Sequence, residues 1–389
     1  MLNQRMIQFG TNRSAIRELF EFGKHYEHDH GEGSVLDFSL GNPSAPLPEV
    51  AEKVMRELIG VKGVHDYTSA PGDIAARKLL AASLNRRFGG DFTFNHLYMT
   101  VGASAALTIA FCALTSEEDE IVLLAPYFPE YMVFAQRAGA KVVVVDADEE
   151  FNPDFEQLER AINPHTALVV VNSPNNPSGK VYSRATLERL AGILTAKSQE
   201  VGHPVYLVSD EPYREITYGA EVSWIPSIYP DTIVCYSWSK SLSLPGERIG
   251  YVAVNPACRN ADDIIAAVAG AGRSLGYVCA SSLFQRVVAS LPDTTCDVNV
   301  YKTNRDLLYT ALKGMGYHCI SPDGAFYLMV KSPSGDGQDF SDRAKELGLL
   351  IVPGESFGVK DWVRVAYCVP KERIERAIPL FERLAPAHE

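Results

Sequence analysis

Lys240 stands in Tyr236-Ser-Trp-Ser-Lys-Ser-Leu-Ser-Leu-Pro-Gly-Glu-Arg-Ile-Gly250, directly after an apolar run. A lysine held at a strand end among hydroxyls becomes a nucleophilic amine once its pKa is lowered. A lone lysine would be a solvated surface group, so its company decides the reading. Asp210 closes the run Val205-Tyr-Leu-Val-Ser. A carboxylate at the end of a buried strand is costly unless a cation or hydrogen bonds compensate it. A protonated pyridinium nitrogen is one such cation. Tyr213, three residues on, can turn its hydroxyl toward the same place. Asn176 lies in Asn172-Ser-Pro-Asn-Asn-Pro-Ser-Gly179, a Pro-bounded turn after another apolar run. In Val101-Gly-Ala-Ser-Ala-Ala106, Gly102 reads as a strand-end glycine opening a helix. The free N–H groups of Ala103 and Ser104 and the helix dipole would then attract an anion. Taken alone, such a Gly-Ala-Ser is more often a plain cap. Ser237 and Arg248 flank Lys240 at three residues before and eight after. A hydroxyl and a guanidinium converging on those amides suit a phosphate dianion.

These residues need elements that bring them together. From about residue 97 short apolar runs alternate with segments of helical spacing. The expected strands are Ile121–Ala125, Lys141–Asp146, Ala167–Asn172, Val205–Asp210, Thr232–Tyr236 and Gly250–Val254. Near-continuous Val/Ile/Leu runs suit a mainly parallel sheet covered on both faces, and the segments Ser104–Leu114 and Ser183–Gln199 suit helices. An α/β layered domain follows. The polar clusters fall just after the strands' carboxyl ends, the edge where open α/β sheets bind ligands. Beyond about residue 275 the pattern changes to one long helical stretch, Ser281–Met315. A strand at Gly324-Ala-Phe-Tyr-Leu-Met-Val follows, then a helix around Asp339–Leu347 and strands at Leu350–Val352 and Trp362–Cys368. This is a smaller α+β unit, with which the N-terminal 45 or so residues are expected to pack.

The bulk properties set limits. The 389 residues carry 36 Lys+Arg against 48 Asp+Glu, a net charge of −12, with 46% apolar residues. A chain this apolar folds, and the acidic balance argues against a nucleic-acid or anionic-membrane binder. No run approaches a membrane span, and the N-terminus has no apolar core of a signal peptide. The seven cysteines are scattered, without a C-x-x-C pair. Reduced core thiols of a cytoplasmic protein fit better than a disulfide framework. The patch His25-Tyr-Glu-His28-Asp-His30 is expected to be a solvated loop rather than a metal site.

The ordered set resembles the class I/II aminotransferases, fold-type I pyridoxal phosphate enzymes related to aspartate aminotransferase. The resemblance runs through Leu40-Gly-Asn-Pro, Tyr67 with Gly72, Gly102-Ala-Ser, Pro126-Tyr-Phe-Pro, Asn175-Asn-Pro-Ser-Gly and Asp210-Glu-Pro-Tyr. It continues through Ser237-Trp-Ser-Lys-x7-Arg248 and Gly324-Ala-Phe-Tyr to Trp362-Val-Arg364. The Lys240 segment has Leu-Pro-Gly-Glu-Arg where many members have Thr-Gly-Trp-Arg, a change that keeps Arg248. The resemblance implies a three-layer sandwich with a mainly parallel seven-stranded sheet, formed by residues 46–275. Residues 1–45 and 276–389 would form the small domain.

Roles follow from the resemblance. Lys240 would form an internal aldimine with the pyridoxal 5'-phosphate aldehyde and then move the substrate proton. Asp210 would keep the pyridine nitrogen protonated. Asn176 and Tyr213 would hydrogen-bond the phenolic oxygen. Gly102, Ala103, Ser104, Ser237, Ser239 and Arg248 would surround the phosphate, and Phe128 would stack on the ring. Tyr67 would reach the phosphate of a neighbouring subunit, making a homodimer with shared active sites. Arg364 would clamp the substrate α-carboxylate, with Gly41 and Asn176 beside it. A retained carboxylate points to chemistry at the α-proton, hence ping-pong transamination between an L-amino acid and a 2-oxo acid.

A C–S β-lyase or another lyase or decarboxylase on this scaffold is the alternative. A regulator carrying this fold is disfavoured, because the stretch before Leu36 is too short and not basic enough for a DNA-binding helix-turn-helix. A nucleotide-binding protein lacks its Gly-x-Gly-x-x-Gly or P-loop. Asn42, Tyr327 and Ser356 are candidates for the pocket border. Arg273 is read as a surface-loop residue rather than a substrate ligand.

Overall fold

In the computed structural model, residues 2–11 and 15–386 are described. The strands are β1 (Leu36–Asp37), β2 (Leu97–Thr100), β3 (Glu120–Leu124), β4 (Lys141–Val145), β5 (Thr166–Asn172) and β6 (Tyr206–Asp210). Then come β7 (Thr232–Ser237), β8 (Gly250–Val254), β9 (Tyr327–Lys331), β10 (Leu349–Leu350), β11 (Val352–Pro353) and β12 (Trp362–Ala366). The helices are α1 (Gln4–Thr11), α2 (Ala15–His30), α3 (Glu49–Leu58), α4 (Ile74–Phe88), α5 (Ala103–Leu114), α6 (Glu130–Ala138) and α7 (Phe155–Ala161). They continue with α8 (Arg184–Val201), α9 (Trp238–Ser241), α10 (Ala261–Leu275), α11 (Ser282–Ser290), α12 (Asn299–Gly314), α13 (Gly337–Lys345) and α14 (Lys371–Arg383).

The main sheet has seven strands in the order β2-β8-β7-β6-β5-β3-β4. Only β8 runs antiparallel to its neighbours, so the expected three-layer α/β sandwich is present. Alternation along the strands sorts side chains to the two faces. Ile121, Leu123, Leu168 and Val170 pack with Leu107 and Phe111 of α5 and Val268 of α10. Val122, Val169 and Leu207 turn the other way, onto Leu158 of α7 and Leu187, Leu190 and Leu194 of α8. Each such fully buried side chain contributes roughly 1.5–3 kcal/mol.

Register places the chemistry. Asn172 pairs with Asp210, Asp210 with Cys235, Ser237 with Gly250, and Gly250 with Thr100. The carboxyl ends of β5, β6, β7 and β2 and the start of β8 therefore share one sheet edge. A second, three-stranded antiparallel sheet has the order β11-β12-β9, and Arg364 lies at the centre of it, opposite Met329 and Val352. β1 pairs in parallel with β10, which joins the first described strand to the chain's last third. Phe38, Tyr301, Phe326, Val363 and Phe381 share one core there.

Three expectations change. The stretch Ser281–Met315 is not one helix but two, α11 and α12. Pro292 has no N–H to donate and pushes Leu291 out of the helical region, to φ −131 and ψ 45. The histidine patch is not a loop: α2 carries it to its end. There the His30 ring stacks on Tyr26 at 3.9 Å, its Nδ1 lies 3.0 Å from the Tyr26 carbonyl oxygen, and Gly31 takes φ 97. Among the described residues no cluster of His, Cys, Asp and Glu is arranged to hold a metal. Arg273 sits in the last turn of α10, exposed, rather than in a loop. The seven cysteines are all free, five of them buried. No described helix is long and apolar enough to cross a membrane.

Candidate active site

A cavity of about 250 Å³ opens at the shared sheet edge. Lys240, Asp210, Tyr213, Asn176, Ala103, Ser104, Phe128, Ser237, Ser239, Arg248, Arg364 and Gly41 all line it. Residues up to 323 positions apart thus converge because four strand ends, one helix start and β12 meet there.

Lys240 extends from the short helix α9. Its Nζ donates to the Gly41 carbonyl oxygen at 2.5 Å. Burial, with Arg248 and Arg364 nearby, brings the amine down to about 8. Asp210 is buried at the end of β6. Its Oδ2 accepts from the Tyr131 hydroxyl at 2.5 Å, while Oδ1 has no partner. Burial pushes the carboxyl up to about 7, against the pull of the Tyr131 hydrogen bond. An unpaired buried carboxylate oxygen costs several kcal/mol, so this residue brings to the cavity lining an acceptor with no partner among the described residues.

Gly102 caps α5 with φ 91 and brings no side-chain cap, leaving the first N–H groups free. A Cβ at this position would stand 2.7 Å from the Arg248 guanidinium. At Gly250 it would stand 2.3 Å from the Tyr236 carbonyl oxygen. The two glycines let the helix start, Arg248 and β8 crowd together. Arg248 itself adopts φ 52, and its Nη1 donates to the Pro245 carbonyl oxygen at 3.0 Å. The result is a cradle of amides, two serines and a guanidinium, suited to a phosphate.

Arg364 is only 1% exposed, yet among the described residues no carboxylate comes within ion-pair distance of it. Its Nη1 donates to Asn176 Oδ1 at 2.9 Å and its Nη2 to the Ser39 carbonyl oxygen at 2.6 Å, while Nε has no partner. The rings of Tyr327 and Phe357 face the guanidinium at 4.5 and 4.9 Å. Because Arg can only donate, Asn176 must present Oδ1 to it, which leaves the amide NH2 for another acceptor. The Asn176 backbone is pinned in turn by its N–H to Asn172 Oδ1 at 2.6 Å.

Tyr67 is not in this cavity. It is 97% exposed on the chain's own surface. Asn42, Ser356 and Arg273 do not line the cavity either, whereas Tyr327 does. Sequence reasoning missed Tyr131 and Ile16. Tyr131 lies three residues beyond Phe128, in the first turn of α6, and that spacing was its only trace. Ile16 reaches the cavity from α2, an element whose place over the site rests on Leu19 packing against Leu350 and Phe357.

A family model described as aminotransferase class I and II matches residues 34–380. The aspartate/prephenate aminotransferase of Thermus thermophilus is 32% identical over 361 residues, covering 90% of this chain and 91% of that protein. The aspartate aminotransferase of Thermotoga maritima is 30% identical, with 90% of each chain covered. Among solved structures, an aminotransferase from Eubacterium rectale superposes with a TM-score of 0.96 at 50% identity, covering 99% of this chain and 98% of that one. The Thermus thermophilus aspartate aminotransferase with maleate superposes with a TM-score of 0.86 at 28% identity, covering 99% of each. With a buried lysine amine, a cradle suited to an anion and a buried arginine in one cavity, and relatives matched along almost its whole length, this chain belongs to the class I and II aminotransferase family and is an aminotransferase.

Proposed function

We propose that the protein uses pyridoxal 5'-phosphate to move an amino group between an L-amino acid and a 2-oxo acid. The observation that carries this reading is the pair of unpaired buried atoms, Asp210 Oδ1 and Arg364 Nε, in the cavity that Lys240 enters. The acceptor fits a protonated ring nitrogen. The donor fits a substrate carboxylate, in the planar pairing that guanidinium favours.

The cofactor fits the residues present. The α5 amides, Ser237, Ser239 and Arg248 would hold its phosphate. Asp210 would hold the ring nitrogen, Tyr213 and Asn176 the phenolic oxygen, and Phe128 one ring face. When bound, it supplies an aldehyde and an electron-withdrawing ring. The chain supplies the rest. Lys240, its amine lowered to about 8, gives up its proton far more readily than an ordinary lysine and would take and return a proton at the substrate α-carbon. Asp210 holds the ring nitrogen's proton. Arg364 retains the α-carboxylate, which turns the chemistry away from decarboxylation.

The same reading divides the chain into residues 46–275, around the cofactor, and residues 1–45 with 276–389. Helix α11, packed on Ala51 and Met55 of α3, ties the second part to the first. The reading includes a homodimer in which Tyr67 serves the partner's site. It also includes a cytoplasmic location, consistent with the free cysteines, and no nucleic-acid or membrane partner.

Steady-state assays with a panel of amino donors and 2-oxo acceptors test it. Parallel double-reciprocal lines, the mark of ping-pong exchange, are the expected result. Release of pyruvate and ammonia from cysteine or cystathionine without an acceptor, and no exchange with any donor, would make the protein a β-lyase.

A further inference from the structure

Tyr327 faces three parts of the site at once. Its hydroxyl lies 2.9 Å from the Tyr213 hydroxyl, and this is its one hydrogen bond among the described residues. Its ring lies under the Arg364 guanidinium at 4.5 Å. Its Oη also sets the residue at position 41, since a Cβ on Gly41 would come within 2.0 Å of that oxygen. Gly41 is the residue whose carbonyl receives Lys240.

Each phenol has one proton to give. If Tyr213 spends its proton on an oxygen anion in the cavity, only Tyr327 can donate across the 2.9 Å gap. A hydroxyl that accepts a hydrogen bond becomes a better donor. Burial holds both phenols neutral: Tyr213 lies well above 10 and Tyr327 is pushed up to about 12. The titratable groups around the Tyr327 hydroxyl are Tyr213, Arg364 and Cys368, with Lys240 across the Gly41 carbonyl.

We propose that Tyr327 is a positioning residue that links the carboxylate clamp to the cofactor's phenolic oxygen: its ring carries Arg364, and its hydroxyl orients and strengthens Tyr213. This rests on the functional reading above. A residue that only filled space would need its ring and not its hydroxyl, whereas here the hydroxyl is the atom that comes nearest a Cβ at position 41 and the one that meets Tyr213.

The test is a pH titration of the cofactor's absorbance in holoenzyme variants. In Tyr327→Phe the midpoint moves up by about 0.5–1 pH unit, the size of one lost hydrogen bond between neutral hydroxyls. The KM for the amino donor stays within about twofold, because the ring under Arg364 remains. Gly41→Ala drives the hydroxyl off Tyr213 and gives a comparable upward shift with Tyr327 itself unsubstituted. In Gly41→Ala/Tyr327→Phe the nearest ring carbon is 3.0 Å from the new Cβ, and the two shifts do not add. An unmoved midpoint in Tyr327→Phe, or fully additive shifts in the double variant, overturns the proposal. Wild-type protein with no pH-dependent cofactor spectrum would instead overturn the functional reading, and this inference with it.

Discussion

The same burial pushes Asp210 and Lys240 in opposite directions, and both shifts suit a task. Desolvation raises the carboxyl to about 7 and lowers the amine to about 8. In cofactor-free protein the folded state therefore binds a proton at Asp210 that the unfolded chain releases near pH 4. Stability from this group falls as pH rises from about 4 to about 7, by at most about 1.4 kcal/mol per pH unit. Urea unfolding of cofactor-free protein across that range should show the slope, and Asp210→Asn should flatten it. Under the proposed function Lys240 reacts as the neutral amine. The rate at which cofactor-free protein takes up the aldehyde should therefore rise about tenfold per pH unit below its midpoint and level off above about 8. A rate that keeps climbing toward pH 10.5 would mean an unshifted lysine. That Lys240, Asp210 and Asn176 would share one cavity was legible because each is a polar group following an apolar run, whereas Arg364, in the middle of β12, was marked only by the resemblance. Tyr131 was not legible, since its partner Asp210 is 79 positions away and only the fold brings them together.

At the scale of elements, strands rich in Val and Ile declared themselves, and β8 appears at the residues expected. The four-residue β2, Leu-Tyr-Met-Thr, is too short and mixed to stand out, and β10 and β11 have two residues each. Such pieces exist because neighbours pair with them, which no local pattern records. The α11–α12 break was visible in principle at Pro292, but the helical spacing on either side masked it. The element on which the site depends most is the start of α5. Gly102 holds φ 91, where a side chain is strained and would press on Arg248. Gly102→Ala should lower stability by about 1–3 kcal/mol and weaken pyridoxal phosphate binding about tenfold. A thermal melt and a fluorescence titration with the cofactor check both. A variant with normal cofactor affinity would separate the helix start from the phosphate.

For the whole molecule, the net charge of −12 describes the solvated surface, while under the proposed function Asp210, Lys240 and Arg364, which line the cavity, carry the chemistry. Tyr67 is 97% exposed, and Ile59, Val61, Tyr277 and Val278 are exposed as well. Apolar side chains at a surface mark contact with another chain when they form one patch. Sedimentation should give a species of about twice the 42.7 kDa chain mass, and Tyr67→Ala should bind the cofactor more weakly while remaining dimeric. A monomer that holds the cofactor normally would end the shared-site reading. The central claim is that one cavity exchanges an amino group through its own cofactor, and a single half-reaction tests it most directly. Holoenzyme given an amino donor and no 2-oxo acid should convert its cofactor from the aldehyde to the amine form, release one 2-oxo acid per site and stop, then recover the aldehyde spectrum when a 2-oxo acid is added. Continuous release of ammonia with the cofactor left in its aldehyde form would contradict it.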